Sequence, residues 1–257
     1  MKGQPRNDAR QGTDGFWNLY SRVYDCIYHS MSYRNLLWDA YQALDLRPGM
    51  KLLDAGCGTG NFEFFISHKS PPPIQIEALD FSPGMLARAK RKCRDLDHVR
   101  FRQADLNARL PFPDASFDRI LSINVLYALE DRDRTMRELM RVLKAGGVIV
   151  LTSPAPHFAW LPLVKDHFGR VRNIWGIHRK VFRVLDSIRV LSTQTVGSFL
   201  LNVLVIDRRE DKGEYHHLDR HEFMELLAGC ESHGLVDFDI QPAFAMQNLF
   251  ATAVKVA

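Results

Sequence analysis

The stretch Lys51-Leu52-Leu53-Asp54-Ala55-Gly56-Cys57-Gly58-Thr59-Gly60-Asn61-Phe62 decides how the chain is read. A short apolar run ends in an acid, enters a turn with glycine at every second position, and opens into an apolar segment at Phe62, Phe64, Phe65 and Ile66. Leu52 and Leu53 suit a buried parallel strand, and the three glycines let the backbone turn tightly against a ligand. A helix starting near Asn61 points free N–H groups at whatever lies over the turn, which makes the stretch a nucleotide-type cofactor site. The dinucleotide pattern G-x-G-x-x-G needs a third glycine for close helix–strand packing. Counting from Gly56, that position is Asn61, and the pattern fails. The spacing is instead Asp-x-Gly-x-Gly-x-Gly, whose acid, Asp54, repels a pyrophosphate and suits a cationic ligand.

The 257 residues fit one α/β domain with an insertion, and 46% hydrophobic residues can fill a sizeable core. Cys26, Cys57, Cys93 and Cys230 are scattered with no C-x-x-C pair, which reads as reduced thiols and a cytoplasmic location. Residues 1–15, MKGQPRNDARQGTDG, are polar and lack an apolar core, so a flexible tail is expected rather than a signal peptide. No run approaches the ~18 apolar residues of a membrane span. A net charge of +4 is too small to imply a nucleic-acid partner.

Around the glycine turn, strands and helices alternate. Residues 16–46 read as a helical cap rich in aromatics, with Trp17, Tyr20 and Tyr24 at helical spacing; it either packs on the sheet or forms a lid. A second strand over 74–79 ends at Asp80, about 20 residues past the glycines, the spacing that puts a carboxylate on ribose hydroxyls. Ser82-Pro83 starts a helix, with Ser82 as N-cap. A third strand, 99–104, is ended by Asp105-Leu106, and a fourth spans 119–123. An amphipathic helix over 131–143, stopped by Gly146-Gly147, precedes a fifth strand at 148–152. The pattern resumes near Tyr215 with a helix over 219–233 and strands over 236–241 and 248–256, whose short link requires antiparallel pairing. The chain is therefore expected to be α/β, a doubly wound, mostly parallel sheet with an antiparallel last strand.

Four strings carry a family resemblance. LDAGCGTGNF (53–62) closely resembles the first motif of the class I S-adenosylmethionine-dependent methyltransferases, and LDFSPGMLARAK (79–90) resembles their second. LPFPDASFDRILSINVLYAL (110–129) is similar to the small-molecule branch that contains the ubiquinone and menaquinone methyltransferases. NLYSRVYD (18–25) resembles the N-terminal Tyr-x-x-x-Tyr-Asp of quinone and phospholipid methyltransferases, whose aromatics help close the active site. The resemblance covers roughly 16–153 and 215–257. It implies a Rossmann-like fold and S-adenosyl-L-methionine as cofactor. Asp54, Gly56, Cys57, Gly58, Gly60 and Asn61 would then hold the methionine end. Asp80, Phe81, Ser82 and Met85 would surround the ribose, Asp105 would accept the adenine amino group, and Leu106 would pack on its ring. Tyr20 would close over the cofactor, and Asn124 and Tyr127, just after strand four, either face the reacting methyl or simply end the strand.

Residues 155–212 depart from that pattern. They hold ten Lys/Arg against five Asp/Glu, so the surplus of the whole chain comes from here. Ile174, Ile177, Val181, Leu185, Ile188 and Leu191 recur at helical spacing with basic residues between them. Plain cover of the sheet edge and a helical substrate lid both fit, the lid with a peripheral membrane contact as a further reading. The expected partner is a small or lipidic molecule.

No catalytic base stands out; Tyr127, His157 and His217 are the candidates. The Asn/Asp-Pro-Pro-Tyr signature of amino-group methyltransferases is replaced by Ser122-Ile123-Asn124-Val125. His217 and His221 lie four apart but lack the zincin glutamate, and no metal is expected. Three functions remain open: a methyltransferase acting on O, N or C of a small acceptor, a catalytically silent protein that binds the cofactor and acts through interactions, and a nicotinamide oxidoreductase, which Asn61 and the closing antiparallel pair disfavour.

Overall fold

In the computed structural model, which describes residues 6–156 and 215–256 and side chains from Gly15 onward, the central strand is β1 (Lys51–Ala55). It pairs in parallel with β2 (Gln75–Asp80) on one side and β4 (Phe117–Ile123) on the other. β3 (Val99–Gln103) extends the sheet beyond β2, and β5 (Leu143–Pro154) beyond β4, both in parallel. β6 (Leu235–Ala243) and β7 (Asn248–Lys255) close the far edge, β7 running antiparallel to both β5 and β6. The order β3-β2-β1-β4-β5-β7-β6 places the chain reversal at β1/β4, the switch point where open α/β sheets bind ligands.

Successive residues of β1 point to opposite faces, and each meets its own hydrophobic layer. Leu52, with Ile76, Ala78, Leu121 and Val150, packs under α2 (Met31–Ala43) and α3 (Asn61–Ser67) through Leu36, Leu37, Ala40, Phe62, Phe65 and Ile66. Leu53 and Ala55, with Ile120, Ile149 and Leu151, pack under α5 (Arg132–Val142) and α6 (Arg220–Ala228) through Met136, Leu139, Met140, Phe223 and Leu227. α4 (Pro83–Lys92) adds Leu86 to the first layer. The sheet is thus doubly wound, as its apolar runs require.

Several elements differ from their expected bounds. α1 (Arg6–Tyr24) begins at Arg6, inside the stretch read as a tail up to residue 15. Gly146-Gly147 does not stop α5, which ends at Val142 because Leu143 is already extended. The glycines sit in a bulge of β5, where the register jumps from Phe117↔Leu143 to Arg119↔Val148. Gly146 has φ +75°, and a Cβ on Gly147 would lie 2.5 Å from Leu143 Cδ1, so the bulge itself demands both glycines. The expected 219–233 helix is α6 followed by a separate 3₁₀ turn, Glu231–His233. His157 and nearly all of 155–212 lie outside the described residues. Among the described residues no helix is long and apolar enough to cross a membrane.

Candidate active site

The glycine turn hangs from the end of β2. Gly56 N and Cys57 N both donate to Leu79 O at 2.8 Å, and Gly58 N donates to Asp80 Oδ2 at 2.8 Å. Gly56, Gly58 and Gly60 have φ of +92°, +56° and +74°, left-handed values that suit glycine. Space demands it too: a Cβ on Gly56 would sit 2.2 Å from Val125 Cγ2, and one on Gly60 3.2–3.3 Å from Ala89 and Cys93 of α4. Gly60 then caps α3, whose first residue is Asn61.

Asp80 sits where β2 ends. Its Oδ1 accepts from Ser82 N and its Oδ2 from Gly58 N, each at 2.8 Å. Burial pushes its pKa up to about 6, against the opposing pull of those N–H groups. The Phe81 backbone N–H adds a third contact, which leaves lone-pair capacity on the carboxylate for a sugar hydroxyl. Ser82 caps α4, its Oγ accepting from Met85 N. The turn, the helix start and this acid fit the sugar and amino-acid ends of the expected cofactor.

Asp54 closes β1 and is 3% exposed, and the fully buried Glu63 of α3 lies beside it. Burial, then the Glu63 charge, hold the Asp54 carboxyl well above the usual carboxylate range. Sequence reading passed over Glu63, because an acid in a helix's first turn is usually a solvated partner of the helix dipole.

The N-terminal cap is fastened to both cofactor-side loops. Asn18 Oδ1 accepts from Gly84 N (2.8 Å) and Ser82 Oγ (2.9 Å), which ties α1 to the start of α4. Asp25, in the 3₁₀ turn Asp25–His29 after α1, accepts from Thr59 Oγ1 and from Lys92 Nζ, both at 2.5 Å. Lys92 also donates to Asn61 Oδ1 (2.6 Å) and Thr59 Oγ1 (3.1 Å). The Tyr24 ring lies over Gly58, within 3.5 Å of where its Cβ would be. Neither Asn18 nor Lys92 was expected here; the mixed charge of α4 concealed one inward-facing lysine.

Beyond the turn lies a packed aromatic cluster. Phe16, Tyr20, Met85, Tyr127 and Tyr215 form one buried cluster, with Trp17 and Tyr24 packed against it. His217 is buried and stacks on Tyr127, with ring centroids 5.0 Å apart at 23°. Tyr215 meets Tyr127 edge-on at 5.6 Å. Burial, then Tyr20 and Tyr215, push the Tyr127 phenol well above its ordinary range, so it remains a protonated donor and not a base. Asn124 adopts φ +57°, its Oδ1 accepting from Thr152 Oγ1 (2.9 Å) and Asn248 Nδ2 (2.5 Å), which joins the ends of β4, β5 and β7.

Tyr20, Asp54, the glycine turn, Asp80, Ser82 and Met85 therefore gather on one side, and Tyr127 and His217 adjoin them. Cys57 is buried within the turn, its thiol pushed well up by burial. Phe81 follows Asp80 and its carbonyl accepts from Gln103 Nε2 (3.0 Å). Asp105 holds an Asx turn, accepting from Asn107 N at 2.9 Å. Leu106 points into the α5 layer of the core. His216 and His221 turn outward: His216 Nε2 pairs with Glu222 (2.7 Å) and His221 Nδ1 lies 3.6 Å from Glu225.

A family model described as a methyltransferase domain matches residues 53–151. The chain is 30% identical over 201 residues to the ubiquinone/menaquinone biosynthesis C-methyltransferase of Shewanella sediminis, a match that covers 75% of each chain. It is 31% identical over 216 residues to the protein of the same name in Shewanella frigidimarina, covering 77% of this chain and 81% of that one. Among solved structures, an S-adenosylmethionine-dependent methyltransferase from Aquifex aeolicus shares the fold with a TM-score of 0.57 at 14% identity, over 92% of this chain and 98% of the other.

Proposed function

Starting from the fact that the chain belongs to the class I S-adenosylmethionine-dependent methyltransferases, we propose that its acceptor is a small apolar or lipidic molecule with a flat, electron-rich ring. S-adenosylmethionine is the cofactor, and when bound it supplies an electrophilic methyl group on a sulfonium. The observation that carries the acceptor class is the aromatic cluster of Phe16, Tyr20, Tyr127 and Tyr215 beside the glycine turn. Rings stack there at low entropic cost, and the cluster excludes water from the reacting atoms.

On this reading Asp54 and the turn take the cationic methionine end, Asp80 takes the ribose hydroxyls, and Asp105 takes the adenine. Asn124, fixed by Thr152 and Asn248, orients groups at the end of β4. The acceptor lies across Tyr127, so that displacement at the methyl is in line. His217, stacked on Tyr127, receives the proton the acceptor sheds as it is methylated. The similar Shewanella proteins are named for carbon methylation in quinone biosynthesis, which favours a ring carbon as the acceptor atom.

Residues 155–212 form the lid over this cluster in the proposal. The chain leaves at Pro154, the end of β5, and returns at Tyr215, whose ring joins the cluster; His216 N donates to Tyr127 O at 3.0 Å. Incubation with methyl-labelled cofactor and a cell lipid extract is the test. Label should move into an organic-soluble, base-stable product, and it should fail to do so when 157–212 is replaced by a short linker. Label confined to water-soluble products would refute the acceptor class, and no transfer at all would favour a binding protein without turnover.

A further inference from the structure

Asp54 and Glu63 form a pair of buried acids that the glycine-turn pattern alone does not require. Asp54 is 3% exposed and Glu63 fully buried. The two carboxyls lie against each other, close enough for each to shift the other. A carboxylate only accepts, so a hydrogen bond between two carboxyls needs a proton on one of them. Among the described residues, neither Glu63 oxygen has a well-formed bond from another donor; its own backbone amide gives only a poorer contact.

Among the described residues, the cation near the pair is already engaged elsewhere. Lys92 lies near Glu63 from α4. Its three donors are already placed, on Asp25, Asn61 and Thr59. From β2, Asp80 adds negative charge beside Asp54. Cys57 in the turn and Cys93 on α4 face Glu63 as thiols kept neutral by burial. Tyr33 of α2 faces Asp54 as a buried, protonated phenol. Among the described residues, a second negative charge on the pair would have only the shared Lys92 as counter-ion.

We infer that Asp54 and Glu63 share one proton in the cofactor-free protein and release it when the cationic methionine end of the cofactor docks, which makes the pair a sensor of ligand charge. The inference rests on the cofactor reading above. The balance is simple: the singly charged pair and the cofactor cation become a doubly ionised pair, bound cofactor and one proton in solvent. The ammonium and sulfonium then provide the missing counter-charge. The demethylated product keeps the ammonium and loses the sulfonium, so it should displace less of the proton. Glu63 thereby becomes a specificity-determining residue, favouring the charged cofactor over its spent form.

Titration calorimetry of the full chain in two buffers of different ionisation enthalpy counts the protons directly. At about pH 7 Asp80 is already mostly ionised and an α-amino group mostly charged, so neither should dominate the count. Wild type should release about one proton more on binding S-adenosylmethionine than Glu63→Gln does. S-adenosylhomocysteine should narrow that difference, and the ratio of the two affinities should fall in Glu63→Gln. Equal proton counts in wild type and Glu63→Gln would overturn the proposal. Should Glu63→Gln fail to fold, Asp54→Asn serves as the second variant, and binding by wild type with no net release overturns the proposal without any variant. Binding without release removes this proposal alone, whereas absence of binding removes the cofactor reading and this inference with it.

Discussion

Gly56→Ala tests whether the turn is shaped by two separable constraints. At φ +92° an L-residue pays roughly 1–2 kcal/mol of backbone strain. The new Cβ would also stand 2.2 Å from Val125 Cγ2, so Val125 must move by more than an ångström. Overpacking of that kind costs about 1–3 kcal/mol. Gly56→Ala should therefore lose roughly 2–5 kcal/mol of stability, the sum of the two terms. Val125→Ala removes the offending methyls and leaves the Val125 Cβ at 3.3 Å, a tight contact that a shift of a few tenths of an ångström relieves. By itself that substitution deletes two half-buried methyls, costing about 1 kcal/mol. The double variant should be more stable than the sum of the singles by about 1–3 kcal/mol, leaving the backbone strain in place. Urea unfolding, with fluorescence and circular dichroism transitions required to coincide, gives the four stabilities of the cycle. Additivity within about 0.5 kcal/mol would refute the contact, and a Gly56→Ala variant as stable as wild type would refute both terms.

Three further outcomes are expected. Lys92→Met should cost about 1–2 kcal/mol, discounted for the partial exposure of Asp25, and should speed the release of labelled S-adenosylhomocysteine; an unchanged off-rate would show that the clasp does not hold the cap. Asp80 binds its proton more tightly folded than unfolded, so the native chain holds the extra proton between its ordinary pKa of 3.8 and about 6, and stability should fall as pH rises through that window. Ribose hydroxyls donate to the ionised form, so cofactor affinity should weaken below about pH 6 and lose that dependence in Asp80→Asn; a flat binding profile in wild type would contradict the ribose assignment. His217→Phe keeps the stack on Tyr127 but not the ring nitrogens, and should lower turnover by about 10²-fold with cofactor binding intact; unchanged turnover would remove His217 from the chemistry.

The grouping of Asp54, the glycine turn and Asp80-Phe81-Ser82 was legible because its geometry is local. Asp54 to Asn61 runs without interruption from the end of β1 through the turn into α3, and Asp80-Phe81-Ser82 is a strand end followed by a capped helix, so chain order alone brings these groups together. Residues set by tertiary contact left little trace. Val125 matters because it lies on Gly56, and Asn18 because α1 crosses α4, neither of which follows from a period. The histidines show how spacing misleads. His217 and His221 are four apart, yet His217 precedes Asp219, the N-cap of α6. Helical periodicity does not reach it, and it turns inward while His221 faces solvent. The bulge in β5 was misread for a related reason: Gly-Gly after an amphipathic helix signals a stop, and only pairing with β4 shows that four residues loop out between Leu143 and Val148.

The same packing that closes the cluster also governs its reactivity. A phenolate beside a sulfonium is a competent nucleophile, and a site walled by tyrosines risks accepting the methyl itself. Burial opposes this, because it penalises the charged form: the Tyr24 and Tyr127 phenols are both pushed well above their ordinary range, with their tyrosine neighbours adding to the effect. A neutral phenol still offers a π-face to a cation. On the proposed reading the rings thus stabilise positive charge without competing for the methyl. That holds only while the cap excludes water, since hydration would bring the phenols back towards their solution behaviour. The clasps at Asn18 and Asp25 are therefore part of the chemistry's selectivity. Loosening them should raise methylation of the protein's own tyrosines alongside loss of cofactor retention, a product that mass spectrometry of the Lys92→Met variant after turnover can find or fail to find.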